Sequence, residues 1–204
     1  MQTLMNGVRG DASDTEMSLK ASQDGGLYTA EILAPYALIT RQGKSFTAIS
    51  TTPVAALVDE PTTATNCIIY NNSKNLYYVI ERIFANQDVS AAAQCRWALW
   101  ACVQHVGRAA DTAGITLYCN MGGQLTDSTA IFDPTATAVD EGWSPWSNGL
   151  DVEPTGILGG SACSVRVDGL MVIPPTGGLA LHVVASDVGA TFNCGAQWSE
   201  VLMD

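Results

Sequence analysis

Cys163–Val201 reads CSVRVDGLMVIPPTGGLALHVVASDVGATFNCGAQWSEV, and its periodicity decides the fold. In the first run Val165, Val167, Met171 and Ile173 fall on one side, and Ser164, Arg166 and Asp168 on the other. This period of two belongs to an extended strand with one buried face. Gly169 breaks the alternation at a place where a bulge would form. Pro174-Pro175-Thr176-Gly177-Gly178 then supplies a turn, after which Leu179, Leu181, Val183 and Ala185 give a second apolar face. A further turn at Asp187-Val188-Gly189 leads to a third face made by Phe192, Cys194, Ala196 and Trp198. Long hairpin-linked antiparallel strands therefore close the chain.

Upstream the same pattern repeats. Candidate strands are Ser45 to Ser50, Asn66 to Asn71, Leu76 to Asn86, Gln94 to Val103, Ile115 to Asn120 and Thr129 to Asp133, followed by Cys163 to Ile173, Leu179 to Ser186 and Ala190 to Val201. In Gln94–Val103, Cys95, Trp97, Leu99, Ala101 and Val103 share a face, leaving Gln94, Arg96, Ala98, Trp100 and Cys102 on the other. No long segment carries a helical period. An all-β fold follows: an antiparallel jelly-roll sandwich of about eight strands over residues 46–204, with an irregular stretch from Asp133 to Gly160. An immunoglobulin-like sandwich is the alternative, disfavoured by the strand number and by the lack of a Cys…Trp…Cys framework.

Residues 1–45 have a different character. Gly7, Gly10 and Gly25-Gly26 punctuate a polar stretch with one apolar piece, Leu27 to Ile39, interrupted by Pro35. This is expected to be an extended N-terminal arm. Leu27, Tyr28 and Tyr36 are costly to leave in water, so they are candidate contacts to a partner.

Charge excludes some functions. With 9 Lys+Arg against 20 Asp+Glu the net charge is −11, which repels phosphate and anionic lipid, so direct nucleic-acid and membrane partners are not expected. Charged residues are only 14% of the chain while apolar ones are 47%, a surface suited to being covered by other chains. Met1–Lys20 has no apolar run like a signal-peptide core, and no stretch approaches the roughly 18 apolar residues of a membrane span. The expectation is a chain folded in a cytosol. Its six cysteines, Cys67, Cys95, Cys102, Cys119, Cys163 and Cys194, are then reduced and mostly buried.

Catalytic chemistry finds little purchase. Two histidines, His105 and His182, stand 77 residues apart, too isolated for a metal centre, and His182 is expected at a surface or interface. Gly159-Gly160-Ser161-Ala162-Cys163 begins like a nucleophile elbow but ends on cysteine. Asp140-Glu141, Asp151 and Glu153 read as loop charges, and Asp11, Asp14 and Glu16 lack the glycine and terminal glutamate of a calcium loop. No enzyme activity, cofactor or metal is expected.

The tryptophans are more informative. Trp97 and Trp198 read as core anchors. Trp100 shares its strand face with Arg96, a composition favoured at protein interfaces. Trp143 and Trp146 flank Ser144-Pro145 in a segment read as a loop, where they could cap the sandwich, touch a neighbouring subunit or stack on a sugar.

The segments ISTTPVAALV (Ile49–Val58), YYVIERIFAN (Tyr77–Asn86), WALWACVQH (Trp97–His105), DEGWSPW (Asp140–Trp146) and the ending Leu179–Val201 together resemble small virion proteins of tailed bacteriophages, in particular the capsid cement, or decoration, proteins built as trimers of jelly rolls. The resemblance spans roughly residues 46–201 and leaves the arm outside it. It implies a homotrimer on the outer surface of an icosahedral head, assembled in the bacterial cytoplasm, whose partner is the major capsid protein and whose work is to bridge neighbouring capsid subunits. It supplies no catalytic residues. The competing expectation is a receptor- or carbohydrate-binding jelly-roll module using Trp143 and Trp146.

Overall fold

The computed structural model describes residues 6–8, 16–18, 36–90, 96–104, 115–122, 128–133, 142–150 and 161–202. The chain divides into two compact units, Met1–Ala37 and Leu38–Asp204. In the first, β1 (Asn6–Val8) pairs antiparallel with β2 (Glu16–Ser18). Leu27 and Tyr28 lie outside the described residues, as do Cys95, His105, Asp140, Glu141, Asp151 and Glu153.

A single helical turn, α1 (Ala37–Arg41), starts at the boundary residue and is closed by Gly43 at φ 70°. The strands that follow are β3 (Ser45–Ser50), β4 (Val54–Ala55), β5 (Cys67–Asn71), β6 (Leu76–Val89), β7 (Arg96–Gln104), β8 (Ile115–Cys119), β9 (Ala130–Asp133), β10 (Ser144–Leu150), β11 (Ala162–Ile173), β12 (Gly178–Ala185) and β13 (Thr191–Leu202). They form two packed antiparallel sheets, one ordered β11-β6-β13-β3-β8 with β4 alongside β13, the other β10-β7-β12-β5-β9.

The pairing is nested. β3 pairs with β13, β5 with β12, β6 with β11 and β7 with β10, so the chain folds back on itself from both ends. Divided between two sheets, these eight strands make a jelly roll. β8 and β9, both between β7 and β10 in sequence, extend the two sheets beyond β3 and β5. All nine strands read from the sequence are present, with ends shifted by three residues or fewer.

One strand corrects that reading. The stretch Asp133–Gly160, expected to be irregular, contains β10. Its proline, asparagine and glycine resemble a turn, yet Pro145 is tolerated because β10 is an edge strand of its sheet, paired among the described strands with β7. A bulge between Pro145 and Ser147 absorbs the remaining irregularity. The bulge foreseen at Gly169 is present: Asp168 (φ 47°) and Gly169 (φ 82°) lie in a register break of β11 between Arg166 and Met171.

Inner faces of both sheets meet in one core. Trp198 lies at its centre, with Phe46, Tyr78 and Phe132 rings at 5.9, 5.9 and 6.0 Å, while Trp97 packs on Phe192 at 4.9 Å. Both tryptophans are fully buried, as their alternation predicts. Cys67 and Cys194 also lie in this core, and burial pushes the Cys67 thiol up to about 12. The five cysteines among the described residues form no disulfide with one another.

Asparagines tie the layers together. Asn66, fully buried just before β5, donates Nδ2 to the Phe192 carbonyl at 2.8 Å and accepts from the Cys194 amide at 3.2 Å. Asn71 donates to the carbonyls of Leu76, Ile173 and Pro174, pinning two turns at one end. Asn66→Ala should therefore leave two β13 backbone groups unpaired and cost about 2 kcal/mol in urea unfolding, whereas Asn72→Ala at an exposed turn should be near neutral. Equal midpoints for the two variants would remove the strut from this account.

Candidate functional site

A sandwich needs only its inner faces to be apolar, yet the outer face of the β10-β7-β12-β5-β9 sheet carries a second apolar layer. Ile68, Tyr70, Cys102, Ile131, Trp143 and Ala180 form a buried cluster there, with half-buried Trp100 packed against it. Trp143 is anchored by its indole Nε1, which donates to the Thr62 carbonyl at 2.8 Å. The segment before β5 is thereby tied to the start of β10. Trp100 stands between Pro145 of β10 and His182 of β12, its direct cross-strand neighbours.

His182 is buried, not at a surface as its isolation suggested. It stands beside Trp100 on the outer face, and its Nδ1 accepts from the Val183 amide at 2.8 Å. Burial holds its pKa down at about 4, so it is neutral at physiological pH. Burial likewise raises the Cys102 thiol to about 11.

The tryptophan pair separates. Trp143 belongs to the outer layer, whereas the β10 bulge turns Trp146 to pack against the main core. Trp146 instead lines a cleft of about 310 Å³ together with Ala101, Val103, Gly142, Ser144 and the β11 residues Leu170, Met171 and Val172. Leu170, thrown outward by the bulge, is 80% exposed and has no counterpart in the sequence reading. Its signal was Gly169, which marked the bulge but not what the bulge presents.

Arg96 is exposed on the same face of β7 as Trp100, four residues and roughly 13 Å along the strand, so the two are not adjacent. Its amide and carbonyl are taken up by Ser186 at the end of β12. Tyr36, half-buried at φ 67°, immediately precedes α1. The candidate residues thus fall into separate groups: Trp100 with Trp143, Trp146 in the cleft, and Arg96 at the far end of β7.

Two carboxylates are buried in the other sheet. Glu81 sits at a bulge of β6, where both neighbouring strands skip it, and accepts from the Ser199 hydroxyl. Burial raises its pKa, with a smaller contribution from the charge of Asp168. Glu200 faces the core end beside Tyr78, accepting from Ser128 Oγ at 2.6 Å, while its second oxygen lacks a partner among the described residues. Its pKa is also raised, again chiefly by burial. Among the described residues no three His, Cys, Asp or Glu side chains converge as a metal site would require.

No known protein family, curated protein or solved structure matches this chain.

Proposed function

We propose that this protein is a structural virion component that attaches as a homotrimer to the outer surface of a bacteriophage capsid and stabilises it by bridging neighbouring capsid subunits. The observation that carries the reading is the second apolar layer outside the β10-β7-β12-β5-β9 sheet, with Trp100 left half-buried at its margin. A fold that needed only to be stable could leave that face polar. A large aromatic at the margin of a packed apolar patch is what an interface anchor requires. The acidic, charge-poor composition suits the outside of a head better than its DNA-filled lumen.

A cement role needs no reaction. Stabilisation follows mass action, so only tight binding to the assembled lattice counts, and three linked copies multiply a weak contact. The test adds purified protein to heads that lack it, then challenges them with heat. Complete heads should survive better, and Trp100→Ala should lower occupancy at least tenfold, about 1.4 kcal/mol or more, while the subunit still melts cooperatively. If heads without the protein package and survive as well as complete ones, the reading is wrong. Binding to glycans or cells that depends on Trp146 would put the receptor-binding reading in its place, with the Trp146 cleft as its one structural support.

A further inference from the structure

Strand register sets five side chains in one row across the outside of the β11-β6-β13-β3-β8 sheet. Arg166 stands opposite Arg82, Arg82 opposite Gln197, Gln197 opposite Thr47 and Thr47 opposite Tyr118. Their strand neighbours Val167, Ile83, Ala196 and Ala48 are in the core, so the alternation turns this row outward. At about 4.8 Å per strand the row is roughly 19 Å wide. The Arg166 side chain is 68% exposed, Arg82 is exposed, and Tyr118 is 55% exposed.

The fold gains nothing from this arginine pair. Like charges directly opposite on antiparallel strands, with Cβ atoms about 5 Å apart, are destabilising. The chain has only 9 Lys+Arg, and two of them are spent on one cross-strand position. Among the described residues neither is neutralised firmly: Arg82 donates to Ser164 Oγ at 3.4 Å, and Arg166 reaches Asp168 at 3.6 Å in an exposed ion pair. The adjacent carboxylate, Glu81, is buried and engaged by Ser199.

One apolar ring lies beside the pair: Phe84, two residues along β6 from Arg82 on the same face, sits over Gly195 so closely that a Cβ there would fall 2.5 Å from the ring. Two arginines beside a Phe, with an exposed Tyr at the far end of the row, have the composition of a protein interface on a charge-poor molecule. Guanidinium forks are shaped to take carboxylates two bonds at a time. An extended polyanion would meet the repulsion of a −11 molecule along its length, whereas a folded partner offers a few carboxylates beside apolar groups.

We propose that this outer sheet face docks an acidic protein surface, with Arg82 and Arg166 receiving its carboxylates. In the virion role on which this inference rests, that surface belongs to the major capsid protein, and Trp100 marks a second contact on the opposite sheet.

The test compares full-length Arg82→Glu/Arg166→Glu with wild type and with Lys74→Glu, a charge reversal in the loop between β5 and β6. Attachment to empty heads is measured with melting and oligomeric mass. The double reversal should weaken attachment at least tenfold, with unchanged melting and mass, while Lys74→Glu stays close to wild type. If wild type attaches and the double reversal attaches equally well, the docking face is wrong and the virion role stands. Loss of oligomeric mass in the double reversal also overturns the inference, since the face would then join copies of this chain. If wild type does not attach to heads, the virion role fails. The face is then judged by a short peptide carrying two glutamates beside a leucine, against a duplex DNA fragment: arginine-dependent binding of the peptide alone supports it, and arginine-dependent DNA binding or no peptide binding overturns it.

Discussion

Trp198→Ala should cost about 3–5 kcal/mol of folding stability, a large part of the roughly 5–15 kcal/mol available to a domain. The indole is wholly buried and is the one side chain on which Phe46 and Tyr78 of its own sheet and Phe132 of the facing sheet all converge. Truncation would open a void between the sheets that rigid strands cannot close, so transfer and cavity costs add. A drop in melting temperature of roughly 10 °C is expected. Trp100→Ala is the matched control: it removes the same side chain from a half-buried position on the outer layer and should cost about 1–2 kcal/mol. Comparable losses in both variants would mean that the outer layer is as much part of the folding core as the inner one. It would then be a poor candidate for an attachment surface.

The jelly roll was legible because most strands bury one face and show it. The features missed are those where both faces, or neither, follow that rule. Cys67–Asn71 is buried at every position, and Cys102 and Ala180 are buried on the faces of β7 and β12 that alternation turns away from the inner core. An apolar run on both faces signals a strand covered twice, and applied to CIIYN it would have placed His182 inside. β10 was hidden by Pro145, which excludes a central strand but not an edge. In β6 the core positions pass from Tyr78 and Ile80 to Ile83 and Ala85, a change of phase that straight alternation cannot produce. The pair Glu81-Arg82 between them marked the bulge, at which Glu81 is buried and Arg82 exposed. The Arg82–Arg166 pair needed register, which the sequence does not print, because the break in β11 displaces everything after it.

Acidification should act on this protein in two opposite directions, and single variants should separate them. His182 is held at about 4 by burial against about 6.5 in an unfolded chain, so between those values the unfolded state binds the extra proton. Its contribution is fully present above pH 6.5 and is lost as pH falls toward 4, by about 3 kcal/mol in all. Glu81 and Glu200 run the other way. Burial raises both above the ordinary 4.5, so above that value the folded state binds the proton more readily, and stability falls as pH rises through their folded pKa values. For Glu200 the Ser128 hydrogen bond and the charge of Lys44 offset part of that burial cost, while its second oxygen is unpartnered among the described residues. Urea midpoints measured from pH 4 to 8 should show Glu200→Gln gaining on wild type as pH rises. His182→Gln, whatever it costs at neutral pH, should lose the acid-side decline. A Glu200→Gln difference that is flat with pH would show that this carboxylate already has an unseen partner in the folded state. A His182→Gln curve parallel to wild type would show that the imidazole titrates normally, which a buried side chain should not do.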